Sequence, residues 1–263
     1  MKIEIFSTAL GWLLAALLPI FHIFLLWYFW SRYTFPVNTA TCTCECWDTI
    51  FKGPYEYGIS AYKHFYFNST KSSAKIWLIV SIGLIALYEC SKQLCRLFLR
   101  GKLRSSMLLL FLSSIFPHYY SWWTYINYIN DRFYTQWDHQ LFFTISEIVS
   151  TAIVIHLSNR HHELTRYKML IIIIISAVHL ISGSIDQFID NIIMMRGSKH
   201  QVVRDLGFVL ADVMHIAVPI FELRDLEYYN FDNRVWYKDR RSIIEFTIAG
   251  FLILVGCVIV QQL

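Results

Sequence analysis

The sequence predicts an all-α protein, a polytopic bundle of about seven transmembrane helices. The 263-residue chain is 56% hydrophobic and only 16% charged, a composition that soluble domains of this length rarely have. Apolar stretches recur along it, each close to the about 20 residues that a helix needs to cross a bilayer. The connections between them are too short for a separate soluble domain. We therefore predict a single transmembrane domain, residues 1–263, with one long lumenal loop at residues 32–75.

The first apolar stretch is longer than the core of a signal peptide, and no small-x-small cleavage site follows it. We therefore predict an uncleaved signal anchor. The predicted spans are Phe6 to Trp30, Ile76 to Cys95, Met107 to Ile129, Leu141 to Leu157, Met169 to Met194, Leu206 to Phe221 and Ile243 to Val260. The sixth span is the weakest, because Asp212 and His215 interrupt it. Its alternative is a re-entrant or interface-lying segment, which leaves six spans.

The short loops predict an orientation, because cytoplasmic loops are enriched in Lys and Arg. A cytoplasmic N-terminus gives the cytoplasmic connections most of the basic residues: Arg96, Arg100, Lys102, Arg104, Arg160, Arg166, Lys168, Arg224, Arg234, Lys238, Arg240 and Arg241. The long loop also holds Asn68 in an Asn-Ser-Thr triplet, a glycan acceptor usable only on the lumenal side. With seven spans, both signals predict a lumenal or extracellular C-terminus. We expect the protein in the membrane of the endoplasmic reticulum, in another secretory-pathway membrane or in the plasma membrane.

The same loop carries Cys42, Cys44 and Cys46. An oxidising lumen favours disulfides, but cysteines two residues apart form strained bridges. The bond can lie within the trio, join a distant cysteine or join a partner protein. A metal is less favoured here, since no histidine lies at zinc-ligand spacing beside them. We predict no cofactor, and the metal content of the protein stays unknown.

Spans four, five and six each carry polar residues three or four positions apart, which places them on one helix face. These faces comprise Thr144, Glu147, Ser150, Thr151 and Ser158 in span four, His179, Gly183, Asp186 and Asp190 in span five, and Gln201, Asp205, Asp212 and His215 in span six. We expect the three faces to meet inside the bundle.

Three of the acids, Glu147, Asp186 and Asp212, are predicted to lie at one depth, about 10 Å below the lumenal surface at 1.5 Å per residue. An acid in hydrocarbon must be protonated, paired or hydrated. We therefore predict an intramembrane site for shared protons, a cation or water. Its residues are Glu147, Asp186, Asp190, Asp212, His179 and His215. The alternative is a set of interhelical hydrogen bonds that only stabilises the bundle.

The leading functional hypothesis is a non-enzymatic helix-bundle subunit of a membrane complex that handles lipids or ions. Only 10 Gly and 5 Pro occur in the chain, whereas alternating-access carriers use broken helices and repeats. The alternative is a self-sufficient proton- or cation-conducting channel or carrier that uses Glu147, Asp186 and Asp212. The expected partners are the lipid bilayer and other membrane proteins. The dispersed basic residues do not form the patch that nucleic acid requires.

A third hypothesis rests on two resemblances. The segment His161 to Thr165, HHELT, resembles the paired-histidine segment of ceramide synthases. The predicted topology resembles that of the ceramidase and progestin-receptor superfamily of seven-span zinc hydrolases. Both resemblances imply an intramembrane metal-dependent lipid enzyme. The acidic motif that follows the ceramide synthase histidines is absent, however, and Ile243 to Val260 lacks the histidine pair of the hydrolases. We therefore predict that the protein is not an enzyme.

Overall fold

The computed structural model describes residues 2–33, 71–131, 137–197, 199–230 and 240–263. These residues are almost entirely helical and include no strand. The elements are α1 (Lys2–Tyr33), α2 (Lys71–Leu99), α3 (Ser105–Asp131), α4 (Trp137–Leu157), α5 (Arg166–His179), the π-helical turn π1 (Leu180–Ser184), α6 (Ile185–Phe188), the π-helical turn π2 (Ile189–Ile193), α7 (Lys199–Asn230) and α8 (Arg240–Gln262). The all-α prediction is confirmed. The disulfide candidates Cys42, Cys44 and Cys46 and the glycosylation candidate Asn68 lie outside the described residues.

Length and composition make five helical windows suitable for crossing a membrane. They are Leu78–Leu99, Trp137–Leu157, Arg166–Gly183, Gln201–Arg224 and Ser242–Gln262. These windows indicate a membrane-associated protein. The weakest predicted span lies within α7, which continues through Pro219 as one helix. The first and third predicted spans fall on α1 and α3.

The chain divides into two compact units. The first contains Met1–Gly101 and Tyr120–Trp137, and the second contains Lys102–Tyr119 and Asp138–Leu263. The helix α3 therefore contributes its first half to the second unit and its second half to the first.

In the first unit, α1 packs against α2. Glu4 accepts hydrogen bonds from Arg96 and Arg100, each at 2.7 Å. Further along α1, Gly11 lies so close to Tyr88 that an added Cβ would stand 2.9 Å from the tyrosine ring. The small residue thus permits close helix packing, and the ion pairs fix the position of α1 along α2.

In the second unit, the apolar core gathers at one end of the helices. Its buried members are Met107, Leu110, Val154, Leu157, Met169, Leu170, Ile172, Leu223 and Ala249. Next to this core, Arg166 at the start of α5 donates to Glu245 at 3.1 Å and to Ser242 at 2.9 Å. Both acceptors lie in the first two turns of α8. The guanidinium therefore joins α5 to α8, while apolar side chains fill the space between the helices.

The two π-helical turns interrupt the predicted fifth span. A π turn contains more residues than an α turn, so each one rotates the residues that follow it relative to a regular α-helix. The α spacing that placed His179, Gly183, Asp186 and Asp190 on one line therefore does not persist through this segment.

Replacing Gly207 should destabilise the second unit, because an added Cβ would lie 2.6 Å from the Phe116 ring of α3. We expect Gly207→Ala to lower the free energy of unfolding by about 1 to 3 kcal/mol, as overpacking does. The matched control is Gly250→Ala, a helical glycine with no described atom within 4 Å of its added Cβ. It should leave stability unchanged or raise it by up to about 1 kcal/mol. Thermal unfolding in detergent measures both, and a Gly207→Ala protein as stable as the parent would contradict the packing.

Candidate functional site

Three helices of the second unit bring two acids and a histidine together. Glu147 of α4, His179 of α5 and Asp212 of α7 are all buried. The Nδ1 atom of His179 lies 3.6 Å from Oε2 of Glu147 and 3.8 Å from Oδ1 of Asp212. Both distances are longer than an N–H···O hydrogen bond, which spans about 2.7 to 3.2 Å. One ring nitrogen therefore lies near two carboxyl groups without a hydrogen bond to either. We call these three residues the acid–histidine cluster.

Ser146 contacts the other ring nitrogen of His179. Its hydroxyl oxygen lies 2.7 Å from Nε2, and the same oxygen lies 2.7 Å and 3.0 Å from the backbone carbonyls of Phe142 and Phe143. A hydroxyl has one proton. When that proton goes to a carbonyl, Nε2 carries the ring hydrogen and Nδ1 faces the two acids with a lone pair; when it goes to Nε2, the ring hydrogen is on Nδ1.

The three groups of the cluster are able to exchange protons. An ionised carboxylate only accepts hydrogen bonds, so a protonated carboxyl can donate to a bare Nδ1, and a protonated Nδ1 can donate to an ionised carboxylate. Charge buried in a membrane span is costly, so the protonation states of two acids and an imidazole at these distances affect one another.

A second chain of polar groups leads from Glu147 to His215. The carboxyl group of Glu147 has the Ser114 hydroxyl as a hydrogen-bond partner. The same hydroxyl lies 3.0 Å from Nε2 of His215, whose Nδ1 donates to the Ala211 carbonyl at 2.9 Å. Ser114 thus connects the acid–histidine cluster to a second histidine that is 2% exposed.

The structure brings four of the six predicted site residues together, namely Glu147, His179, Asp212 and His215. Asp190 lies elsewhere. Its side chain is 65% exposed and stands 3.5 Å from Nη1 of Arg196, because the π turns place it outside the regular face. Asp186 lies on α6, and its side chain is outside the part of the structure that is described.

Sequence reasoning missed the hydroxyl groups and the third histidine of the site. Ser146 directly precedes Glu147, so on an ideal helix it points about 100° away from the predicted polar face. Ser114 and His118 belong to α3, whose aromatic residues are typical of the membrane interface and do not indicate a polar site. His118 Nε2 lies 2.7 Å from the Thr151 hydroxyl of α4. The available signal was the presence of Ser113, Ser114 and His118 within an apolar span.

The described residues do not include a group of three or more His, Cys, Asp or Glu side chains arranged to hold a metal ion. Cys90, Cys95 and Cys257 are free thiols. The paired histidines that resemble the ceramide synthase segment lie in the connection between α4 and α5. There the His162 ring stacks on His156, with ring centroids 4.0 Å apart.

In the part of the chain that the structure describes, the protein is all-helical, with five helices long and apolar enough to cross a membrane and a buried acid–histidine cluster. The chain belongs to a family of unknown function, DUF8801, whose pattern matches residues 4–263. No curated protein and no solved structure matches the chain.

Removing His179 should destabilise the protein strongly, because two buried acids would lose their shared neighbour. We expect His179→Ala to lower the free energy of unfolding by about 2 to 5 kcal/mol, as truncation of a large buried side chain does, because it also removes the contacts with Ser146 and Phe143. The control Asp190→Ala removes an exposed acid and should change it by less than about 1 kcal/mol. Unfolding in detergent measures both.

A double-mutant cycle separates the pairing from the loss of packing. In a protein that already carries Glu147→Gln, His179→Ala should lower the free energy of unfolding by about 0.5 to 3 kcal/mol less than it does in the parent. This difference is the usual coupling energy of residues in contact. Effects that simply add would show that His179 and Glu147 do not interact.

Proposed function

We propose that this chain is a proton-handling membrane protein, a proton-conducting channel or carrier whose acid–histidine cluster takes up and releases protons within the bundle. The observation that carries the proposal is the position of His179 Nδ1 between Glu147 and Asp212, with Nε2 engaged by Ser146. Of the proton and cation alternatives that the sequence left open, this geometry favours the proton, because Nδ1 already faces two groups that exchange protons readily.

The neighbouring groups supply a route by which a proton can move. A protonated carboxyl, a hydroxyl and an imidazole can each accept a proton on one side and donate one on the other. Glu147, Ser114 and His215 follow one another in this way. Polar groups of this kind inside membrane spans form proton relays in pumps and transporters. The relay therefore extends the cluster from three helices to a fourth, α3.

We further propose that the protein has seven spans, with a cytoplasmic N-terminus and a lumenal or extracellular C-terminus, in a secretory-pathway or plasma membrane. Helices lie over every predicted span, which supports the number. The basic connections support the orientation, because Lys and Arg are retained in the cytoplasm. Asn68, with its acceptor triplet, would then be glycosylated in the lumen.

The second candidate function is a helix-bundle subunit of a complex that handles lipids or ions. The observation that favours it is the open face of α8. Ala249 and Gly256 contact the rest of the second unit, whereas Phe251 and Leu254 are 64% and 67% exposed. Lipid can cover these side chains, and a helix of a partner protein can pack on them equally well.

Proton flux tests the leading proposal directly. The purified chain is reconstituted in liposomes that contain a pH-sensitive dye. When the external solution is made more acidic, the interior of the liposomes should acidify. Glu147→Gln and Asp212→Asn keep the side-chain shape and remove the titratable group, so each should lower the initial rate at least about tenfold, the loss that follows from about 1.4 kcal/mol. Asp190→Asn serves as the matched control and should retain the parental rate.

Each variant must first elute and unfold like the parent, so that a lost rate is not a lost fold. A parental rate in both Glu147→Gln and Asp212→Asn would overturn the proton proposal. The composition of the tagged protein, extracted from its own cells in mild detergent, tests the second candidate. A fixed heteromeric partner supports the subunit function, and a particle of this chain alone contradicts it.

A further inference from the structure

Two connections at one end of the second unit are joined by backbone hydrogen bonds. Leu103 and Asn159 form an antiparallel bridge, the Arg104 amide donates to the Ser158 carbonyl at 2.8 Å, and the Arg160 amide donates to the Lys102 carbonyl at 2.9 Å. The connection before α3 and the connection between α4 and α5 therefore form one ordered surface.

Three basic residues and a histidine lie on or beside this surface. Lys102, Arg160 and His161 are exposed, and Lys168 in the first turn of α5 lies 3.4 Å from Nε2 of His156. We call Lys102, Arg160, His161 and Lys168 the basic loop surface. Within the described residues, none of its members has an acidic partner at ion-pair distance.

Three acids of the described residues belong to the neighbouring elements. Glu245 accepts from Arg166, Glu222 interacts electrostatically with Arg104, and Glu163 is exposed in the same connection. None of these three acids forms an ion pair with the basic loop surface, so its lysine and arginine side chains can attract an anion.

Arg104 stabilises the backbone of this surface. Its guanidinium donates to the backbone carbonyls of Leu157 and His162, one on each side of the turn that carries Arg160. Burial lowers the pKa of Arg104, the nearby positive charge of Arg160 lowers it further, and Glu222 opposes both effects. Arg104 thus orders the backbone of the turn that carries Arg160.

The depth of the surface identifies the source of the anion. The apolar window of α4 ends at Leu157 and that of α5 begins at Arg166, so the surface lies where the chain leaves the hydrocarbon, at the level of lipid headgroups. Tyr167, 60% exposed beside Lys168, is a residue type enriched at that level. Lysine and arginine donate strong charge-assisted hydrogen bonds to phosphate oxygens.

We propose that the basic loop surface is a binding site for the phosphate headgroup of an anionic membrane lipid. The site does not depend on the proton proposal, since it shares no residue with the acid–histidine cluster. It would hold a lipid against the ends of α3, α4 and α5 and so tie the second unit to the anionic leaflet.

The test titrates the detergent-purified full chain with phosphatidylserine or phosphatidylcholine and measures the lipid-bound fraction by native mass spectrometry. The parent should bind phosphatidylserine more tightly than phosphatidylcholine. Each Lys or Arg near an anionic surface raises the affinity about fivefold. The double variant Lys102→Gln, Arg160→Gln should therefore bind phosphatidylserine about 25-fold more weakly. The control pair, Arg196→Gln with Lys199→Gln, removes the same charge from the connection after π2 and from the first residue of α7, and should bind like the parent.

Four outcomes would overturn the proposal. Equal binding of the two lipids by the parent would show that charge does not matter. Equal losses in both double variants would show that only net charge matters. A third measurement separates the lipid from a free anion: if inorganic phosphate raises the thermal midpoint of the parent as much as phosphatidylserine does, the site takes soluble phosphate. Full binding by a folded Lys102→Gln, Arg160→Gln protein would place the lipid elsewhere.

Discussion

The contacts of the His179 ring connect three helices at the buried site. Nε2 lies 2.7 Å from the Ser146 hydroxyl of α4, while Nδ1 lies 3.6 Å from Glu147 of α4 and 3.8 Å from Asp212 of α7. The Ser146 oxygen is also within hydrogen-bond distance of two carbonyls of its own helix. When the hydroxyl proton goes to one of those carbonyls, the ring hydrogen is on Nε2 and Nδ1 is left to the two acids. The surroundings of one imidazole are therefore set by side chains from α4 and α7.

Charged groups at the ends of the helices behave differently from this cluster. Asp205, 2% exposed, accepts from Asn191 at 2.6 Å and from Arg204 at 2.7 Å, so a cation and an amide neutralise and satisfy its two oxygens. Arg166 is satisfied in the same way by α8. Such pairs fix helices in place. Glu147 and Asp212 instead lie near a histidine, whose charge depends on its protonation.

The sequence predicted the class of the protein and much of the polar face of α4, because both follow from the spacing of residues along one regular helix. Glu147, Ser150, Thr151 and Ser158 are indeed all buried. The prediction lost accuracy in the fifth span, where the π turns change the number of residues per turn and place Asp190 in an exposed ion pair. Spacing also could not identify Ser146, since its role depends on backbone carbonyls and on a histidine of another helix.

The first π turn is itself linked to the cluster through Phe143. This ring packs 4.9 Å from the His179 ring, measured between centroids, and an added Cβ at Gly183 would lie 3.1 Å from it. π1 begins directly after His179 and contains Gly183. Phe143 is therefore close both to the imidazole and to the backbone of the π turn that follows it. A side chain at position 183 would press on the ring that packs against His179, so the absence of a Cβ there permits the observed position of Phe143 beside the imidazole. A π turn directly after a buried histidine agrees with the recurrence of π turns at functional sites.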